Sequence, residues 1–286
     1  MVVIVGFIIV IGSVLGGFMW SGGHVGALIH PSEVVVIGGA AFGALVTMSS
    51  PKVLKDLMKG ILGCLKGSPF DKTSYRELFK MMYELMQVSR REGLLALESH
   101  LADPHHSAIF SKYPKISNNH HVMDFIVGAL TPVVEGTIKP DQLPLLMETE
   151  IKVIEDEHHA PILVMSKTTD GLPGFGIVAA VLGIVITMEA ISGPVEEIGH
   201  KVGAALVGTF LGILMSYGFC APLVGRMELL GHAEIAFFKT VAAIITGFVE
   251  DLNPKVAIDV ARRGVASDMR PNREELDALF KEATAA

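Results

Sequence analysis

The first 50 residues of this 286-residue chain contain no lysine or arginine, and none of the first 32 is Asp or Glu. Three later stretches, 34–51, 171–188 and 202–225, also lack all four charged residue types. A helix needs about 20 mostly apolar residues to cross the hydrocarbon core of a bilayer. One such stretch is compatible with a buried helix of a soluble protein. Four stretches, arranged as two pairs, predict four transmembrane helices.

The chain is also poor in cysteine and lacks common catalytic motifs. Cys64 is predicted in the cytoplasm and Cys220 in a membrane helix, so no disulfide framework is expected. G-x-S-x-G, P-loop, H-E-x-x-H and C-x-x-C sequences are absent, and we expect no enzymatic activity. The net charge of −7 argues against nucleic acid as a partner. The first stretch has no basic n-region or A-x-A cleavage site and is predicted to be a retained helix.

Orientation follows from where the basic residues lie. Of 23 lysines and arginines, 14 lie between Lys52 and Lys167 and eight between Arg226 and Lys281. Only Lys201 lies between the third and fourth apolar stretches. Segments rich in Lys and Arg stay in the cytoplasm. We therefore predict a multi-pass membrane protein whose two termini are both cytoplasmic.

The predicted fold class is all-α: a polytopic membrane protein with a helical cytoplasmic insert and a cytoplasmic C-terminal tail. The predicted parts are hairpin 1–50, with spans at about 2–21 and 33–50; insert 51–169; hairpin 170–225, with spans at about 171–190 and 201–224; and tail 226–286.

Within the cytoplasmic parts, the helical period of apolar residues predicts several helices. Residues 53–66 form a basic amphipathic segment, which fits either a helix on the inner leaflet or a helix facing the core of the insert. Ser74 and Glu77 predict a capping box at the start of the next helix. The segment from Asp141 continues as a helix towards Asp170 or Pro173. Residues 240–249 are apolar but too few to span a membrane, and are predicted to be a cytosolic helix.

The predicted spans are rich in glycine at a spacing that favours close helix packing. The G-x-x-x-G spacing lets helix backbones approach each other in lipid. It predicts tight packing within the chain and between copies. The glycines concerned are Gly12, Gly16, Gly39, Gly43, Gly208 and Gly212.

No Asp, Glu, Lys or Arg lies near the middle of a predicted span. Glu33, Asp170 and Glu189 lie at the ends, and Thr209 and Ser216 do not titrate. Ion pathways need a titratable or coordinating group within the membrane. If ions cross here, a partner must supply the carboxylate.

Three pairs of adjacent histidines, at 105–106, 120–121 and 158–159, raise the question of a metal site. Adjacent residues point to different faces of a helix, so a metal site would need two pairs brought together by folding. We interpret them as polar surface residues and predict no metal site.

Five segments in order along the chain resemble the MotA family of flagellar stator subunits, part of the MotA/TolQ/ExbB proton channel family. They are GFIIVIGSVLGGFMWSGG, HPSEVVVIGGAAFGAL, SRREGLLALESHLADP, DGLPGFGIVAAVLGIV and VGTFLGILMSYGFCAPL. The resemblance implies five such chains around two copies of MotB, whose membrane helix carries an ion-binding Asp. It also implies a location in the bacterial inner membrane. Protons are then the coupling ion, no other cofactor is needed, and the ring pushes the rotor protein FliG.

The resemblance also implies roles for particular residues of the cytoplasmic insert. Arg90 and Glu98 match the residues that face charged groups of the rotor protein. Arg91 and Glu92 lie beside Arg90 and leave open which charge meets the rotor. Taken without the resemblance, these residues fit an ordinary solvated charged face.

In the membrane, Pro173 and Pro222 match two prolines important to the conformational cycle. Proline lacks a backbone donor and produces a helix end or a kink. Thr209 is common to proton-driven and sodium-driven relatives. Ala180 stands where sodium-driven relatives have threonine, and a methyl group cannot coordinate sodium.

The nearest alternative is a TolQ/ExbB-like energiser that drives an envelope-spanning partner. That family has three spans with a lone first helix, and the hairpin at 1–50 argues against it. A small-solute transporter would need an intramembrane binding site, and the sequence contains none.

Overall fold

The computed structural model describes residues 2–189 and 191–285, with residue 285 described by its backbone alone. Across this described part the chain is helical and contains no strand, which confirms the all-α prediction. The α-helices, α1 to α12 in chain order, are Val2–Trp20, Pro31–Met48, Pro51–Lys66, Lys72–Glu92, Glu98–Ala102, Pro114–Ser117, His120–Val134, Leu143–Glu189, Val195–Ile213, Ala221–Val249, Pro254–Arg263 and Arg273–Ala285. Short 3₁₀ turns occupy Val25–Leu28, Leu94–Leu97, Pro104–His106 and Phe110–Lys112, and a π-helix occupies Leu214–Cys220.

Four helical segments are long and apolar enough to cross a membrane, as predicted. They are Val2–Trp20, Val25–Met48, Leu143–Glu189 and Val195–Val249. Helix α1 buries none of its side chains within the chain, although its mean hydropathy is 2.7. An apolar helix with no protein cover is stable only against lipid or another chain.

The chain divides into two compact units. The membrane unit comprises Met1–Gly67 and Glu157–Leu230, and the insert unit comprises Ser68–Asp156 and Gly231–Ala286. The predicted insert and tail therefore contribute to one compact unit, and the segment that follows the first hairpin belongs with the spans.

Helix α8 is longer than the sequence pattern indicates. It runs for 47 residues from Leu143 to Glu189 without a break, through both Pro161 and Pro173. The prediction that a helix continues from Asp141 towards the membrane is correct, but the helix does not end at Asp170 or Pro173.

The fourth span also continues beyond the predicted boundary. Helix α9 is followed directly by the seven-residue π-helix and then by α10, which ends at Val249. The apolar residues 240–249 are thus the end of α10 and not a separate helix.

The amphipathic segment forms α3 and packs within the membrane unit. Its Leu57 and Cys64 side chains are buried against Ile162, Met165 and Met227. Burial raises the pKa of the Cys64 thiol. Its apolar residues do not join the core of the insert unit, so that alternative is wrong.

The insert unit has one hydrophobic core to which the insert and the tail both contribute. The Phe125 and Phe238 rings meet edge to face at 5.1 Å, and those of Tyr83 and Phe280 lie 4.7 Å apart. Helix α4 is capped by Asp71, whose Oδ1 accepts the Ser74 N–H at 2.8 Å. The capping box predicted at Ser74 is therefore wrong, because an earlier acid supplies the cap.

Candidate functional site

Helices α8 and α9 approach each other through small residues in the membrane unit. A Cβ added to Gly212 would lie 2.7 Å from the Leu172 carbonyl oxygen and 2.8 Å from the Cα of Gly176. A Cβ added to Gly183 would lie 2.8 Å from the Cβ of Ala205. Side chains at these glycines would separate the backbones, so the contact depends on their absence.

Ala180 and Thr209 lie on facing parts of this contact. The backbone N of Ala180 lies 3.3 Å from the position a Cβ would take on Gly208. The Cα of Thr209 lies 3.3 Å from the corresponding position on Gly176. Both residues are half-buried in the single chain, and each therefore leaves part of its surface free.

The other predicted packing glycines have open surroundings within the single chain. No atom lies within 4 Å of a Cβ built on these residues. They are Gly12, Gly16, Gly39 and Gly43.

Pro173 lies inside α8 and leaves a carbonyl group without its helical donor. In an α-helix the N–H of residue 173 would donate to the carbonyl of Thr169, but proline has no N–H. The Ser216 hydroxyl of the π-helix donates to that carbonyl at 2.8 Å instead. Ser216 is 1% exposed, so a buried hydrogen bond between helices replaces the one that proline removes. Pro222 lies just after the π-helix and is exposed.

Sequence reasoning missed the position of Glu33. It is in the first turn of α2, but its side chain is only 7% exposed, and its Oε2 has no hydrogen-bond partner. A Cβ on Gly208 would lie 2.6 Å from this oxygen, which places the carboxyl group against α9. The one available signal was that Glu33 is the only acid in the first 50 residues.

The predicted rotor residues are on the insert unit. Arg90 is in the last turn of α4, and its Nη2 donates to the carbonyl oxygen of Asp251 at 3.1 Å and to Asp251 Oδ1 at 3.3 Å. Asp251 has a φ of 57°, which turns the α10–α11 connection towards Arg90. Glu98 begins α5 and is exposed. The sequence pattern gave no indication of Asp251.

An open groove of about 680 Å³ lies beside Arg90 in the insert unit. It is lined by Ser89, Arg90, Leu94, Phe248, Asp251 and Leu252, among others. Within residues 2–189 and 191–285, no three His, Cys, Asp or Glu side chains converge in a way that could hold a metal ion.

The four long apolar helices and the close small-residue contact between α8 and α9 define a multi-pass membrane protein. Residues 4–93 match the profile of the motility protein A N-terminal domain, and residues 117–240 match that of the MotA/TolQ/ExbB proton channel family. The chain belongs to the motility protein A group of this family.

Two curated relatives support this assignment, and one solved structure shares the fold. Motility protein A of Salmonella typhimurium is 35% identical over 97% of this chain and 94% of the relative. Chemotaxis protein LafT of Vibrio parahaemolyticus is 36% identical over 97% of each. The C. jejuni MotAB structure shares the fold, with a TM-score of 0.78 and 22% identity over 95% of this chain and 98% of that one.

Proposed function

We propose that this chain is a ring-forming flagellar stator subunit that, with a MotB-type partner, couples proton flow across the inner membrane to torque on the rotor protein FliG. The observation that carries the proposal is its similarity to motility protein A over both hairpins and the insert, with 97% of the chain covered. The match at 4–93 covers the first hairpin, which favours this function over a TolQ/ExbB-like energiser.

The role of the partner follows from the lack of charged residues in the middle of the predicted spans. The predicted spans contain no Asp, Glu, Lys or Arg near their middle, and a proton needs a titratable group to cross the membrane. A MotB-type helix carrying an Asp supplies it, and relatives have been solved as MotAB complexes. The face that holds Ala180 and Thr209 forms the wall around that Asp.

Self-association, as a homopentamer by the family resemblance, is supported by surfaces that the single chain leaves uncovered. Helix α1 has no buried residue, and Gly12 and Gly16 on it have open surroundings. A neighbouring chain can approach closely at such glycines, and lipid covers the rest. The distribution of Lys and Arg supports cytoplasmic termini, and it supports an insert unit, with Arg90 and Glu98, on the side of the rotor.

Complementation tests the function. Cells that lack their own stator genes would express this chain together with a MotB-type partner that has one membrane helix. The expected result is restored swimming, and loss of swimming when the partner's intramembrane Asp is changed to Asn. Paralysed cells in which both proteins assemble would contradict the stator function.

The coupling ion needs a separate test. Swimming speed would be measured across sodium concentrations, with and without a protonophore. We expect speed to be independent of sodium and to collapse with the protonophore, because the methyl group of Ala180 offers sodium no ligand. A requirement for sodium together with indifference to the protonophore would contradict the choice of protons.

A further inference from the structure

Three titratable side chains of the membrane unit form a series with decreasing exposure. His200 is exposed, His30 is half-buried and Glu33 is 7% exposed. The ring centroids of His30 and His200 are 6.1 Å apart. The Glu33 N–H donates to the His30 carbonyl at 3.1 Å, so both residues belong to the first turn of α2.

The buried end of this series is chemically unusual. Glu33 Oε2 is buried without a hydrogen-bond partner, which is costly for a carboxyl group. It lies beside Gly208, where an added Cβ would also meet the methyl group of Ala179 at 3.1 Å and the backbone N of Ala180 at 3.3 Å. An acid in the first turn is favourable to a helix, but an exposed acid gives the same benefit. Burial of Glu33 against α9 therefore needs another reason.

The neighbouring charged residues Lys201 and Glu197 pair with each other. Lys201 Nζ pairs with Glu197 Oε1 at 2.9 Å, one turn apart on α9. Among residues 2–189 and 191–285, neither of the two forms an ion pair with His30, His200 or Glu33. His30 Nε2 lies 3.1 Å from the Ala27 carbonyl oxygen, so the ring must turn away from that carbonyl to pass a proton on. The series is open to solvent at His200 and meets the α8–α9 contact at Glu33, beside Gly208.

We propose that His200, His30 and Glu33 form a proton-uptake relay that delivers protons to the face holding Ala180 and Thr209. A proton binds a ring nitrogen of His200, passes to His30 and then to a carboxylate oxygen of Glu33. Glu33 releases it towards the partner's Asp, and only N–H and O–H bonds change. One water or a ring rotation closes the 6.1 Å separation of the imidazoles. The relay rests on the proposed proton-driven function.

The test compares proton flux through membranes that contain the full chain with its MotB-type partner. Flux would be divided by the amount of assembled complex, determined from its size in detergent. The variants are Glu33→Gln, which keeps the shape but cannot carry a proton, and Glu33→Asp, which restores the carboxyl group. The matched control is Glu189→Gln, an exposed acid of the same unit. A second set compares the double variant His30→Gln, His200→Gln with His24→Gln, an exposed histidine of the same connection.

We expect Glu33→Gln to lower flux per complex by about tenfold or more, which is within the range that positioned proton-transfer groups contribute. Glu33→Asp should restore most of the flux, and both controls should match the wild type. Wild-type flux in assembled Glu33→Gln would overturn the relay. If Glu33→Gln does not assemble, the double histidine variant decides: reduced flux supports the relay and unchanged flux overturns it. Absence of flux in the wild type would instead contradict the proposed function.

Discussion

The Ser216 hydroxyl donates to the Thr169 carbonyl at 2.8 Å, and Pro173 is the reason that this carbonyl is free. The bond joins the π-helix of the fourth span to α8 at the residue where α8 loses a backbone bond of its own. It allows α8 to continue through proline, and it fixes the two helices where proline makes bending easiest.

The free-energy cost of losing this hydrogen bond should depend on the presence of Pro173. Ser216→Ala leaves a buried carbonyl unsatisfied and should lower the free energy of unfolding by about 1–3 kcal/mol. In a Pro173→Ala background the new N–H satisfies Thr169, so the same change should cost less. Thermal unfolding of the detergent-solubilised protein measures both. Equal costs in the two backgrounds would show that the Ser216 bond does not compensate for Pro173.

The α8–α9 contact predicts a large effect from one methyl group. In Gly212→Ala the new Cβ would lie 2.7 Å from the Leu172 carbonyl oxygen, a backbone atom that cannot rotate away. We expect destabilisation of about 1–3 kcal/mol, typical of overpacking, and loss of assembled complex. Gly203→Ala on the same helix is the control, since nothing lies within 4 Å of its added Cβ. Normal assembly of Gly212→Ala would mean that this contact is looser than described.

Charge reversal tests the rotor surface. Exposed ion pairs contribute about 0–1 kcal/mol, so Arg90→Ala and Glu98→Ala should slow swimming only mildly. Arg90→Glu and Glu98→Lys should slow it more, because reversal adds repulsion to the loss of attraction. Both reversals should leave membrane abundance and proton flux unchanged, and compensating reversals on FliG should restore part of the speed. Arg91→Glu is the neighbouring control: an equal defect there would mean that Arg90 is not the specific contact.

The insert unit contains a buried polar cluster whose loss should be measurable. The Tyr113 hydroxyl donates to Glu84 Oε1 at 2.6 Å, and Lys112 Nζ lies 3.1 Å from Oε2 of the same residue. Burial and the Glu84 carboxylate raise the pKa of Tyr113, so the hydroxyl keeps its proton.

Tyr113→Phe removes one donor from a buried carboxylate and should lower the free energy of unfolding by about 1.5–3 kcal/mol. Chemical denaturation measures this change. Tyr217→Phe, in which the ring is 67% exposed, should have little effect. A Tyr113→Phe protein as stable as the control would show that Lys112 alone satisfies the buried carboxylate of Glu84.

Much of the fold is predictable because spans need long charge-free stretches, and these are visible in the sequence. The continuity of α8 through Pro173 is not, because proline locally predicts a break, and the compensating donor, Ser216, is 43 residues further along. The shared core of the insert unit is likewise hidden, since Phe125 and Phe238 meet only after folding. Local patterns cannot show such contacts.

The candidate site also has features that the sequence shows and features that only the structure shows. Gly208 and Gly212 are recognisable by their spacing, and Arg90 by its resemblance to the family. The inward direction of Glu33 and the contact between Arg90 and Asp251 depend on which helix faces which. A helix-terminal acid and a loop acid both look like ordinary solvated charges in the sequence.

The central claim is that this chain forms the wall of a proton path that a partner's carboxylate completes. The most direct test is proton flux into proteoliposomes under an imposed membrane potential, for the chain alone and with its MotB-type partner. We predict flux only when both are present, and none when the partner's intramembrane Asp is replaced by Asn. Equal flux from the chain alone, or undiminished flux with the Asn variant, would contradict the claim.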